Sequence, residues 1–307
     1  MPELPEVQAL AEFLDARTTG RRVAAADVAA IAALKTFDPP VTALVGREVD
    51  GVVRHGKWLD VRLAPDGPDR DADVPGDAAG LHLLFHLSRG GWVRWSEQAP
   101  TTPVRPRMGG SSRGAALALR VRLDDGSGFD LTEAGTRKRL AVHVVRDPLE
   151  VEQVATLGVD PLSDDFTPEA LGALMAERNQ QVKGLLRDQR AVAGIGNAYS
   201  DEILHVARVS PFKLTRSFTD DETAALHDAV VTTLREAVAA SSGKPAKELK
   251  DAKRSGMRVH GRTGEACPVC GDVVREVSFA DRSLQYCATC QTGGQVLADR
   301  RLSRLLK

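Results

Sequence analysis

All four cysteines of this chain fall within 24 residues near its C-terminal end, as Cys267-Pro-Val-Cys270 and Cys287-Ala-Thr-Cys290 with 16 residues between the pairs. That spacing constrains the segment strongly, because each C-x-x-C pair can form a knuckle presenting two thiolates while the intervening chain folds back as a hairpin. One structural zinc ion per chain, held by Cys267, Cys270, Cys287 and Cys290, is the reading this pattern supports best. Two disulfides or an iron–sulfur cluster are the alternatives, and a reducing cytosol disfavours the first. Residues 273–279 and 283–286 read as the two strands of the hairpin, with Ala280-Asp281-Arg282 at the turn. Arg282 is thereby presented at the tip, where a planar guanidinium can fork across a phosphate.

The chain ahead of this segment divides by its periodicity. Pro5 followed by Val7, Leu10 and Leu14 predicts an amphipathic helix ending near residue 19, with the proline where a first turn tolerates one. Short β-rich runs separated by turn signals follow at 48–53, 58–63, 81–87, 92–95, 116–123, 128–131 and 140–145. From residue 149 onward the pattern is helical: Thr167-Pro168-Glu169 reads as a capped helix start, and further helices are expected at about 181–189, 197–207 and 220–240. In Gly194-Ile195-Gly196-Asn197 the glycines permit a tight turn, Asn197 is expected to cap the next helix, and the exposed backbone N–H groups could receive an anion. The fold class implied is α+β.

Charge adds a second constraint. The formal net charge of −1 hides a basic segment, since residues 243–307 carry 13 Lys or Arg against 7 Asp or Glu while the rest carries 28 against 35. A basic face on an acidic body suggests a polyanionic partner, because the local field governs phosphate binding. No stretch approaches the ~18 consecutive apolar residues of a membrane span, and the start of the chain lacks the features of a secretory signal. No membrane partner is therefore expected, and a cytoplasmic location at the nucleoid is.

Four motifs, in order and at matching spacing, make the sequence resemble the formamidopyrimidine-DNA glycosylase and endonuclease VIII family of base-excision repair. They are Pro2-Glu3-Leu4-Pro5-Glu6, Gly56-Lys57-Trp58-Leu59, Gly194-Ile195-Gly196-Asn197-Ala198-Tyr199, and Val259-His260-Gly261-Arg262-Thr263-Gly264 leading into the cysteines. The resemblance implies an N-terminal β-sandwich with flanking helices over residues 1–147, a helix–two-turn–helix domain over 148–257, and an antiparallel zinc ribbon over 258–307. It further implies a monomer that holds damaged double-stranded DNA between domains and acts as a glycosylase and abasic-site lyase, with the zinc structural and no catalytic metal. By that analogy Met1 is removed and the secondary amine of Pro2 attacks C1′ of the damaged nucleotide. An α-amino group with a pKa near ~7.7–8 is partly unprotonated at neutral pH, as a nucleophile must be. Glu3 would protonate the opening deoxyribose, Glu6 would order the pocket, and Lys57, Asn197 and Arg282 would hold phosphates.

The sequence also departs from that pattern. Where the family commonly fills the space of the extruded base with a Met and, from a later strand, an Arg and a Phe, this chain reads His86-Leu87-Ser88-Arg89 and Arg137-Lys138-Arg139. Arg89, Arg137 and Arg139 are accordingly assigned to DNA contact by hydrogen bonding or stacking rather than by apolar wedging. The stretch 242–256 is shorter and richer in lysine than the loop that covers a flipped purine in the 8-oxoguanine branch, so that specificity is not carried over. An abasic-site lyase without broad glycosylase activity and a non-catalytic damage-binding protein are the rival readings.

Overall fold

The computed structural model describes residues 1–65, 80–107, 115–279 and 283–298, and its chain forms two compact units. The first comprises Met1–Thr156 and Ser241–Leu249, the second Leu157–Ala240 and Lys250–Lys307. Arg282 lies outside the described residues. No described helix is long and apolar enough to cross a membrane.

In the first unit, helix α1 (Leu4–Thr18) starts with Pro5 in its first turn and Glu6 closing a capping box with Glu3. Its apolar positions Leu4, Val7, Leu10 and Leu14 are all buried, which is the face the heptad-like spacing predicts. Among the described residues eight strands follow: β1 (Val23–Val28), β2 (Val49–His55), β3 (Trp58–Leu63), β4 (Leu81–His86), β5 (Gly91–Ser96), β6 (Ala116–Leu123), β7 (Gly128–Glu133) and β8 (Ala141–Val145). They form two antiparallel sheets of order β1-β6-β7-β5 and β2-β3-β4-β8. The sandwich between them follows from strict alternation. Leu59, Val61 and Leu63 of β3 and Leu81, Leu83 and Phe85 of β4 face the core, and Phe85 meets Phe129 of β7 with ring centroids 6.2 Å apart. The unit is completed by a short helix α2 (Glu152–Ala155) and by residues 241–249, whose Ala246 and Leu249 enter the same core. There the Trp92 indole donates to the carbonyl of Ala246 at 3.0 Å.

The second unit contains helices α3 (Pro168–Glu177), α4 (Val182–Arg187), α5 (Asn197–Val206) and all but one end residue each of α6 (Asp220–Ser241) and α7 (Leu249–Gly256), then strands β9 (Val274–Ser278) and β10 (Ser283–Cys287) and helix α8 (Ala288–Thr292). Thr167 caps α3 by accepting from Ala170 N at 3.2 Å. The cap of α5 differs from the sequence expectation: Gly196, in an extended conformation, is the cap, and Asn197 is the first helical residue. Its amide is committed elsewhere, donating to the carbonyl of Ser283 at 2.8 Å. β9 and β10 pair antiparallel as the ribbon, over a small core of Val277, Leu284, Tyr286 and Ala288.

Candidate active site and zinc centre

The N-terminal residues and the Lys57 turn are positioned by the packing of α1 on β2. Asp15, late in α1, accepts from Val52 N at 2.7 Å, and Gln8, one turn into the helix, accepts from Arg54 Nε at 3.0 Å. Arg54 also donates to the carbonyl of Gly56 at 3.2 Å. Two anchors thus align helix and strand, so that continuing past Gln8 to Glu3 and past Arg54 to Lys57 leads to the same end. His55 pairs with Trp58 across a two-residue turn in which Gly56 takes φ +55°, the sign that a II′-type hairpin demands at its first position. Lys57 occupies the second position and is buried despite its charge, at 8% exposure. Glu3 and Glu6 are buried too, and the Glu6 carboxylate accepts from the backbone N–H of Glu3 at 2.9 Å. Pro2 precedes them and is buried.

Around the turn the outer face of the sheet is polar. Asp60, buried on β3, lies 3.1 Å from His55 Nε2 and 3.0 Å from His82 Nδ1. Burial raises its pKa, yet the bonds to the two imidazoles outweigh that and hold it below the usual value. His86 packs against Trp58, ring centroids 5.0 Å apart and planes tilted by 43°, and is pushed down to about 4 by burial and then by the charge of Lys57. It is neutral at physiological pH. Asp60 was not singled out by sequence reasoning, and His86 was named only as the start of the 86–89 segment; their alternation with Trp58 and Leu84 on neighbouring strands was the available signal.

Arg89 and the pair Arg137 and Arg139 come from adjacent loops and are exposed. Ala134 N donates to Gly90 O at 2.9 Å, and Gly90 has no room for a side chain, since a Cβ there would lie 2.2 Å from Ala134 O. Buried Glu133 anchors the second loop by accepting from Arg139 N at 2.5 Å and Leu140 N at 3.0 Å. Three guanidinium groups therefore project from one braced pair of turns.

In the second unit, buried Lys183 of α4 donates to Asp201 Oδ1 at 2.6 Å, Ser200 Oγ at 2.7 Å and the carbonyl of Asn197 at 3.1 Å, all in α5. The opposite oxygen of Asp201 is 2.7 Å from His260 Nδ1. Glu202 accepts from the backbone N–H groups of Arg258, Val259 and His260 at 2.7–3.0 Å, while its burial raises its pKa against those bonds. These carboxylates fasten the lead-in of the ribbon to the helix that starts at Asn197. Lys183 and Asp201 were missed from sequence because each alone resembles an ordinary helix-surface residue, and His260 stood within the Val259–Gly264 motif without a role assigned to it.

The four cysteine sulfurs lie within 4.8 Å of one another. Cys267 and Cys290 are 3.9 Å apart, Cys270 and Cys287 3.4 Å. A tetrahedral ion with Zn–S bonds of about 2.3 Å sets its sulfurs roughly 3.8 Å apart, so the donor set fits zinc. Burial and the neighbouring sulfurs push Cys287 up to about 11 and Cys290 further. A divalent cation is what would hold all four as thiolates.

Family models match the chain in three consecutive parts: formamidopyrimidine-DNA glycosylase N-terminal domain over 1–141, formamidopyrimidine-DNA glycosylase H2TH domain over 157–247, and the zinc finger found in FPG and IleRS over 264–293. A formamidopyrimidine-DNA glycosylase of Symbiobacterium thermophilum is 33% identical over 98% of this chain and 93% of its own length. The chain belongs to the formamidopyrimidine-DNA glycosylase family. An uncharacterized formamidopyrimidine-DNA glycosylase-like protein of Mycobacterium tuberculosis is 55% identical over 50% of the chain and 97% of its own. Among solved structures, wild-type Lactococcus lactis Fpg in complex with N7-benzyl-Fapy-dG-containing DNA shares the fold, with a TM-score of 0.77, 23% identity, and coverage of 95% of this chain and all of that one. The zinc of this family member is held by the FPG-type finger, whose matched residues include all four cysteines.

Proposed function

We infer that this chain acts as a base-excision-repair DNA glycosylase with abasic-site lyase activity on damaged double-stranded DNA. The observation that carries the reading is the placement of Pro2, buried Glu3 and Glu6, and buried Lys57 at one end of the α1–β2 pair. In this reading Pro2, freed by removal of Met1, attacks C1′ of the damaged nucleotide through its secondary amine. Glu3 donates a proton as the deoxyribose ring opens, and the base departs. The iminium left at C1′ acidifies the C2′ proton, whose loss expels the 3′ phosphate; a second elimination expels the 5′ phosphate. The Lys57 ammonium, fixed by the turn, stabilises phosphate charge beside the reacting sugar. Asn197 and Arg282 hold the phosphates of the bent strand, and Arg89, Arg137 and Arg139 contact the duplex at the site of the extruded base.

A narrower reading, cleavage of abasic sites without broad base excision, is favoured by one observation. The loops at 88–90 and 134–139 expose guanidinium groups where apolar side chains would repay unstacking. The test is strand cleavage on end-labelled duplexes carrying an abasic site, 8-oxoguanine or an oxidised pyrimidine. Cleavage of base lesions with phosphate at both new ends supports the glycosylase reading, and cleavage of abasic DNA alone supports the narrower one. Tight binding without cleavage of any duplex contradicts both.

A further inference from the structure

Helix α5 is fastened to the ribbon segment along its whole length. Asn197 at its start bonds the carbonyl of Ser283, Asp201 and Glu202 in its middle hold residues 258–260, and in its last turn His205 Nε2 lies 3.2 Å from Cys267 Sγ. The last of these contacts is different in kind, because its acceptor is a sulfur of the metal site.

The geometry fixes the chemistry of that contact. His205 and Cys267 are each 2% exposed, so water does not satisfy either. Among the described residues Nδ1 of His205 is buried and has no hydrogen-bond partner. A buried N–H without an acceptor is costlier than a bare ring nitrogen, so the proton belongs on Nε2, facing the sulfur. A doubly protonated ring would leave Nδ1–H stranded. Two other sulfurs, of Cys270 and Cys287, accept from the backbone N–H groups of Asp272 and Cys290. Four thiolates around one divalent cation carry a net charge of −2, and donors aimed at the sulfurs are what makes burying that charge tolerable.

We propose that His205 supports the zinc site from outside the ligand set, its Nε2–H donating to the Cys267 thiolate and thereby joining the metal directly to helix α5. Donation withdraws charge from the sulfur and retards its displacement. This bond adds a direct link between zinc loading and the position of helix α5 to the contacts made by Asn197, Asp201 and Glu202. His205 is a positioning residue in this account and does not ligate the metal.

The test uses the full-length protein in two forms. In protein loaded with cadmium-113, the ring nitrogens of His205 are expected to show the Nε2–H tautomer, with scalar coupling between that proton and the metal across the sulfur. In the zinc form, competition with a chromophoric chelator is expected to show zinc affinity lowered roughly 10-fold or more by His205→Phe, which keeps a ring and loses the donor. His205→Gln, which can still donate an N–H, is expected to recover part of that loss. An Nδ1–H tautomer in the parent protein overturns the proposal whether or not the variants fold. So does a folded His205→Phe protein that holds zinc as tightly as the parent.

Discussion

Replacing Asp201 by Ala removes an anion in direct contact with the buried Lys183 ammonium. The Lys183 side chain is 7% exposed and that of Asp201 1%, with 2.6 Å between Nζ and Oδ1. Breaking a buried pair by deleting one partner costs about 3–5 kcal/mol, because the remaining charge keeps its desolvation penalty and loses its compensation. Ser200 Oγ and the carbonyl of Asn197 still accept two of the three ammonium protons, which places the expectation at the lower end, about 3 kcal/mol. Lys183→Met alone leaves the Asp201 carboxylate with His260 as its remaining partner. The double variant Lys183→Met with Asp201→Ala buries no unpaired charge, and is expected to be less destabilised than the sum of the single variants by at least about 1.5 kcal/mol. The assay is urea unfolding of the zinc-loaded protein followed by circular dichroism at 222 nm, since among the described residues four of the five helices of eight or more residues begin in the second unit or at its boundary. Additivity of the two substitutions within about 0.5 kcal/mol would refute the reasoning.

Cys287→Ala is expected to abolish stoichiometric zinc binding, measured by metal analysis of the purified protein, and to weaken DNA binding in parallel. His86 carries a pH dependence. Its folded-state pKa of about 4 lies below the ordinary histidine value of 6.5, so the unfolded chain takes up the proton first; the contribution of His86 to stability is constant above about pH 6.5 and is lost as pH falls toward 4. The full shift corresponds to about 3 kcal/mol, and His86→Phe should flatten that limb of a stability–pH profile measured by denaturant titration. Arg282→Ala is expected to weaken binding to all DNA sequences alike and to lower the slope of log affinity against log salt by about one, as read by fluorescence anisotropy.

Legibility in the sequence depended on how local the cause of each feature is. Helix α1 follows from Pro5, the Glu3–Glu6 box and apolar spacing within one segment, and most strands follow from alternation. β1 was not foreseen, because Val-Ala-Ala-Ala-Asp-Val has little intrinsic β preference and is a strand through its pairing with β6. Helix α7 was hidden in a lysine-rich stretch read as loop. The zinc site was readable because four thiolates at two short spacings have few other uses. The buried polar groups behind it were not, since Lys183 with Asp201, Asp201 with His260, and His205 with Cys267 meet across 18, 59 and 62 residues. Asn197 was located correctly as a position and incorrectly as a cap, because its amide serves the ribbon rather than its own helix.

The central claim is covalent catalysis from the N-terminal proline, and borohydride trapping tests it most directly. Met1-processed protein is incubated with abasic-site duplex and reductant, with Pro2→Gly, Glu3→Gln and an N-terminally acetylated sample alongside. The account predicts a protein–DNA adduct that maps to Pro2 and disappears when the amine is blocked. An adduct that survives N-terminal acetylation, or maps to Lys57, would contradict it.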